Sequence, residues 1–215
     1  MDIFALILDM DTYIWIITAI ILAIFGLLMI DRSKRQKIKM KKSFYLGIAF
    51  FYLLYGISKF FHYYGEIILG FEHPNYPFFW KLGTVPTYIA FTSLIYVVER
   101  FTIKTKFIFT VSMIVVDILV LLLPYDIALY IGYFGTPFAA FYLIGVYLYL
   151  GIKVPGIRKT SILKFLWLFT YFIGFGLNIR VLQDLVGFKI RVIGNFLLII
   201  GGFLYIKQNL QEKTE

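Results

Sequence analysis

The chain has no cysteine and only two histidines, His62 and His73, in 215 residues. Without thiols there can be no disulfide, thiolate metal site or cysteine nucleophile. Two histidines are too few for the ligand set of a metal-dependent hydrolase. Charge is also scarce: 15% of residues are Asp, Glu, Lys or Arg, against roughly 25% in soluble domains. No P-loop, GxSxG or HExxH pattern occurs, and no N-x-[ST] acceptor. The opening MDIFALILDMD has neither a basic n-region nor a small-residue cleavage site, so no cleaved signal peptide is expected. These absences point away from an enzyme, and no catalytic residue, metal or cofactor is expected.

Apolar side chains make up what is present. Hydrophobic residues are 61% of the chain and the mean hydropathy is +0.86, where soluble domains run at about 45–50% apolar. Apolar runs of roughly 17–25 residues mark membrane helices. Seven such runs are read here, at 12–30, 43–66, 78–98, 107–123, 127–151, 162–183 and 190–207. The expected fold is therefore all-α, a single seven-helix transmembrane bundle over residues 1–215. Pro86 and Pro137 fall inside the third and fifth runs, where Thr84, Thr87 and Thr136 can satisfy freed carbonyls. Gly174, Gly176, Gly201 and Gly202 would let the last two helices approach closely.

Loop charge sets the orientation. Basic residues cluster in the first loop (Arg32 to Lys42), the third (Arg100, Lys104, Lys106), the fifth (Lys153, Arg158, Lys159, Lys164) and the tail (Lys207, Lys213). Asp2, Asp9, Asp11, Glu66, Glu72, Asp117, Asp126 and Asp184 lie toward the other face. The N-terminus is then outside and the C-terminus in the cytoplasm. The net charge of +9 is mostly topological. Anionic lipid headgroups are the expected partner of the basic loop 32–42, and nucleic acid is not.

The most informative stretch is 44–70, which could cross a bilayer yet carries Lys59, His62 and Glu66 at i, i+3 and i+7, on one helix face. An ionisable group at membrane depth costs roughly 2.5–3.5 kcal/mol on the lenient insertion scale and persists where it faces a bundle interior or a cavity. At 1.5 Å per residue, Lys59 lies about 22 Å up a core of about 30 Å, and Asp117 about 9 Å below the outer boundary. Opposite charges at one level predict that Lys59 and Asp117 pair, directly or through water. Lys81, Thr84 and Tyr88 of helix three, Tyr130 and Tyr133 of helix five, Asn178, Arg180, Gln183 and Asp184 of helix six, and Arg191 and Asn195 of helix seven fall in the same outer half. The inner half is almost wholly apolar or aromatic. The expectation is an outward-facing, cation-rich cavity above a hydrophobic plug. Its candidate ligand-binding residues are Lys59, His62, Glu66, Lys81, Asp117, Asn178, Arg180, Asp184, Arg191 and Asn195. A small-molecule ligand suits it, and the cation surplus favours an anion such as a carboxylate. For Lys81, Lys189 and Arg191 snorkelling to the interface is the plainer reading, and for Arg180–Asp184 an ordinary salt bridge. Glu99, beside Arg100 and FTIKTK, reads as an interfacial ion pair.

Three classes of function fit. The first is a membrane sensor or receptor-like protein, whose short tail requires a separate cytoplasmic effector protein. The second is a small-solute transporter of three-plus-one-plus-three organisation. Aligning Ser43 with Ser161 puts Phe51 on Phe169, Gly56 on Gly174, His62 on Arg180 and Glu66 on Asp184, and little else matches. Its inner route would need Tyr52, Tyr55, Thr92 or Thr170. The third is a structural or assembly subunit, or an enzyme acting on lipid. A retinal protein is not expected, because helix seven has no lysine between Arg191 and Lys207. The PQ dipeptide of sugar-type three-plus-three transporters is missing as well.

Overall fold

The computed structural model describes the backbone of residues 3–103, 105–179, 185, 187 and 190–211, with side chains between 13 and 208 in those ranges. Among the described residues the fold is all-α, without strands. The helices are α1 (Ile3–Lys34), α2 (Lys39–Tyr63), α3 (Tyr76–Phe101), α4 (Ile108–Leu122), α5 (Tyr125–Lys153), α6 (Arg158–Gly176) and α7 (Ile190–Gln211). α2 runs on into a π-turn, Tyr64–Leu69, and a 3-10 turn, Pro155–Ile157, precedes α6.

Five helices (α1, α2, α3, α5 and α7) are long and apolar enough to cross a membrane. α4 is apolar but has 15 residues, which at 1.5 Å each reach about 22 Å. α6 spends its first turns on Arg158, Lys159 and Lys164. Several helices overrun the apolar stretches that announce them. The basic loop 32–42 is largely helical, because α1 extends through Lys34 and α2 begins at Lys39. Lysine and arginine are good helix formers, and beyond the apolar boundary nothing stops propagation. Ser33 Oγ donates to Lys42 O at 2.9 Å and ties this tight turn.

Each helix packs on its sequence neighbours, α7 returns to α1, and α3 also reaches α5. The result is a closed ring with α3 drawn toward its middle. Of α3's most apolar window 61% is buried, against 33% for α5. α2 and α4 both pack on α3 and not substantially on each other. α6 and α7 cross closely because Gly174 faces Gly194: a Cβ on Gly174 would come within 2.6 Å of Gly194 O. Gly201 and Gly202 also abut neighbouring atoms, whereas Gly176 faces open space.

The core is rich in rings. Phe51, Tyr55, Phe91, Tyr171, Phe172 and Phe175, from α2, α3 and α6, meet at centroid distances of 5.4 to 6.3 Å. Such contacts add about 0.5–1.5 kcal/mol per pair beyond burial. These six side chains form one aromatic layer within the bundle. Hydroxyls near the helix prolines bond to backbone carbonyls: Thr87 Oγ1 donates to Gly83 O (3.0 Å), and Tyr88 Oη donates across to Gly132 O.

Candidate functional site

Directly beyond the ring layer, at the end opposite the basic turns, lies a cavity of about 100 Å³. Trp15 enters from α1, Tyr55, Lys59 and His62 from α2, and Glu66 from the π-turn. α3 contributes Tyr76, Trp80, Thr84, Thr87 and Tyr88, and α5 contributes Tyr133 and Thr136. The turn after α6 contributes Asn178.

Of the ten residues expected to bind a ligand, Lys59, His62, Glu66 and Asn178 line this space. Lys59 is 3% exposed, with Nζ 4.3 Å from the Trp15 ring centroid and 5.6 Å from that of Tyr55. Ring faces carry negative charge and attract an ammonium that is largely removed from bulk water. The π-turn helps to place Glu66, whose carboxylate stands 3.7 Å from His62 Nδ1. It ends where Gly70 turns at φ 82° and donates its amide to Gly65 O. Wide turns of this kind occur often at functional sites.

Arg191 and Asn195 stand behind the wall. Arg191 Nη1 donates to Glu66 Oε2 at 3.0 Å, and its guanidinium lies 5.7 Å from the Trp15 ring. Asn195, fully buried, donates to Asn178 Oδ1 and Arg191 O, both at 3.0 Å. A polar chain therefore runs His62, Glu66, Arg191, Asn195, Asn178, joining α2 to α7 and to the end of α6. α6 stops at Gly176, short of the expected 183, so Asn178 sits on the turn; its Nδ2 donates to Gly174 O at 2.7 Å and caps the helix.

Two expected members lie elsewhere. Lys81 donates to Leu121 O (3.2 Å) and Leu123 O, where the unsatisfied carbonyls and negative dipole end of α4 attract an ammonium. Asp117 does not meet Lys59: its Oδ2 accepts from Thr92 Oγ1 at 3.0 Å, and α3 stands between α2 and α4. The two meet different levels of α3: Ser58, beside Lys59, touches Thr87, whereas Asp117 meets Thr92. Arg180, Gln183, Asp184 and Lys189 lie outside the described residues, as do Lys104, Lys213 and the side chains of Asp2, Asp9 and Asp11. Among the described residues no three His, Asp or Glu side chains gather as a metal would need.

The sequence reading missed Trp15, which passed for one more apolar residue of helix one. It also missed the contact between Ser58 and Thr87 hydroxyls across α2 and α3. Hydroxyls every few residues on facing helices were the available signal. At the basic end, Glu99 is corrected. It forms no ion pair among the described residues. Its carboxylate, 2% exposed, accepts from Phe109 N (3.2 Å), Thr110 N (2.8 Å) and the hydroxyls of Thr105 and Thr110. It acts as a cap for α4 lent by α3.

No protein-family model matches the chain, and no curated protein or solved structure is significantly similar to it.

Proposed function

We propose that the chain is a seven-helix membrane protein, N-terminus outside and C-terminus in the cytoplasm, working as a receptor-like sensor of a small carboxylate. The observation that carries the reading is a buried ammonium, Lys59, set among aromatic faces at a half-open, largely apolar cavity beyond the ring layer. Two cations, Lys59 and Arg191, stand around the site with one described carboxylate, Glu66, which accepts from Arg191. A water takes about 30 Å³ of liquid, so a 100 Å³ space suits a ligand of only a few heavy atoms. Occupancy would act on the chain from Glu66 to Asn195, which ties α2 to α7. A change relayed to the basic turns would be read by a separate cytoplasmic protein.

Transport is the second reading, and one observation favours it. The Tyr52 and Tyr171 hydroxyls are buried within the bundle with no hydrogen-bond partner among the described residues, a polar foothold below the cavity. Against it, Thr92 is held by Asp117 and Thr170 bonds back to Leu166 O in its own helix. Phe51 is buried where its aligned counterpart Phe169 is 46% exposed, which weakens the internal repeat.

The test combines thermal shift in detergent with uptake into liposomes, using formate, acetate and propionate as probes. Stabilisation without flux, lost in Lys59→Met, supports the sensor. Flux abolished by Lys59→Met supports transport. Neither effect, from a folded protein, leaves a structural subunit and ends both readings.

A further inference from the structure

The surface has a second concavity, unrelated to the polar cavity. It is a groove of about 420 Å³ on the lipid-facing side of α5, closed at one edge by the start of α4. Phe138, Phe141, Tyr142, Gly145 and Tyr149 of α5 form one wall, with Phe109 and Ile103 opposite. Phe109 stacks on Tyr142 at 4.0 Å, so the floor is a firm aromatic surface. Gly145 leaves the groove open: nothing lies within 4 Å of where its Cβ would be. The groove runs along α5 toward the basic end. One turn past Tyr149, on the same face, is the exposed Lys153. Between Ile103 and Phe109, exposed Lys106 is carried on a left-handed backbone (φ 54°). A shallow apolar groove whose lining residues are followed along the chain, at the basic end, by exposed Lys106 and Lys153 matches an acyl chain bearing a negative headgroup.

We propose that this groove is a binding site for one anionic phospholipid of the leaflet at the basic end. Its acyl chain lies on Phe109, Phe138 and Tyr142, and its phosphate meets Lys106 and Lys153. The inference rests on the chain residing in a membrane, and it is independent of what fills the polar cavity.

The experiment is native mass spectrometry of the full chain in detergent, titrated with dioleoyl phosphatidylglycerol or dioleoyl phosphatidylcholine. Phosphatidylglycerol should be retained preferentially, at one equivalent. Lys106→Asn keeps a residue that tolerates the left-handed backbone, and Lys153→Gln keeps the helix. Each should weaken retention roughly fivefold, the worth of one lysine near an anionic surface. Gly145→Phe, which projects into open space, should abolish the preferential equivalent and leave the melting temperature in lipid-free detergent unchanged. Equal retention of the two lipids, or no response to the lysine variants, would overturn the site. A change in cross-linked dimer with Gly145→Phe, without a change in lipid retention, would overturn it in favour of a second copy. Absence of the chain from the membrane fraction would instead remove the membrane reading itself.

Discussion

At the residue scale, the arrangement turns on a few charged groups placed where water is scarce. Arg191 and Glu66 form a nearly buried ion pair, with 4% and 11% of the side chains exposed. Removing one partner of such a pair strands the other, typically at a cost of 3–5 kcal/mol, whereas replacing both with apolar groups can be close to neutral. Arg191→Leu should therefore lower the melting temperature sharply, and Glu66→Leu with Arg191→Leu should recover much of the loss. Equal losses from the single and double variants would dissolve the proposed chain of contacts. His62 presses on Gly83, where a Cβ would stand 2.7 Å from the imidazole. Gly83→Ala should push the ring into the cavity and cost roughly 1–3 kcal/mol, the range for overpacking, with weakened carboxylate stabilisation in the same thermal assay.

At the level of the element, helix ends carry most of the specific chemistry. Lys81 closes the end of α4, Glu99 opens its beginning, and Asn178 caps α6. Glu99→Ala removes the acceptor for two amides and two hydroxyls at once. Hydrogen exchange at Phe109 and Thr110 should then rise markedly while amides in mid-α3 stay protected. Unchanged protection would show that α4 needs no loan from α3. The crossing of α6 and α7 is equally exacting. Gly174→Ala would drive a methyl to 2.6 Å from the Gly194 backbone oxygen, and backbone cannot rotate aside. A loss of more than about 2 kcal/mol in chemical unfolding is expected, toward the upper part of the overpacking range. These features were partly legible. The runs of apolar residues located the seven described helices α1 to α7, and the prolines came with hydroxyls nearby. The ends were read poorly because lysine and arginine continue a helix past the apolar boundary, and because a cap supplied by another helix leaves no local signature.

At the scale of the whole molecule, a chain without cysteine is convenient to probe. Single cysteines at Lys37 and Glu72, both exposed, should react with a membrane-impermeant maleimide from opposite sides of intact cells. Glu72 should label from outside and Lys37 only after permeabilisation. Labelling of both from one side would refute the proposed topology. The closed ring also explains why the cavity gathers residues from five parts of the chain: at the end opposite the basic turns, α1, α2 with its π-turn, α3, α5 and the segment that ends α6 face a common interior.

Composition and periodicity alone determined that the chain is helical, apolar enough for a membrane, basic at one end and polar within at the other. These follow from transfer free energies, which act residue by residue and need no partner to be known. The tertiary structure alone decided which polar groups meet. Depth along a helix can be counted from the sequence, but direction around the ring depends on which helix stands between two others. That is why Lys59 found Trp15 rather than Asp117, and why Glu66 found an arginine 125 residues away.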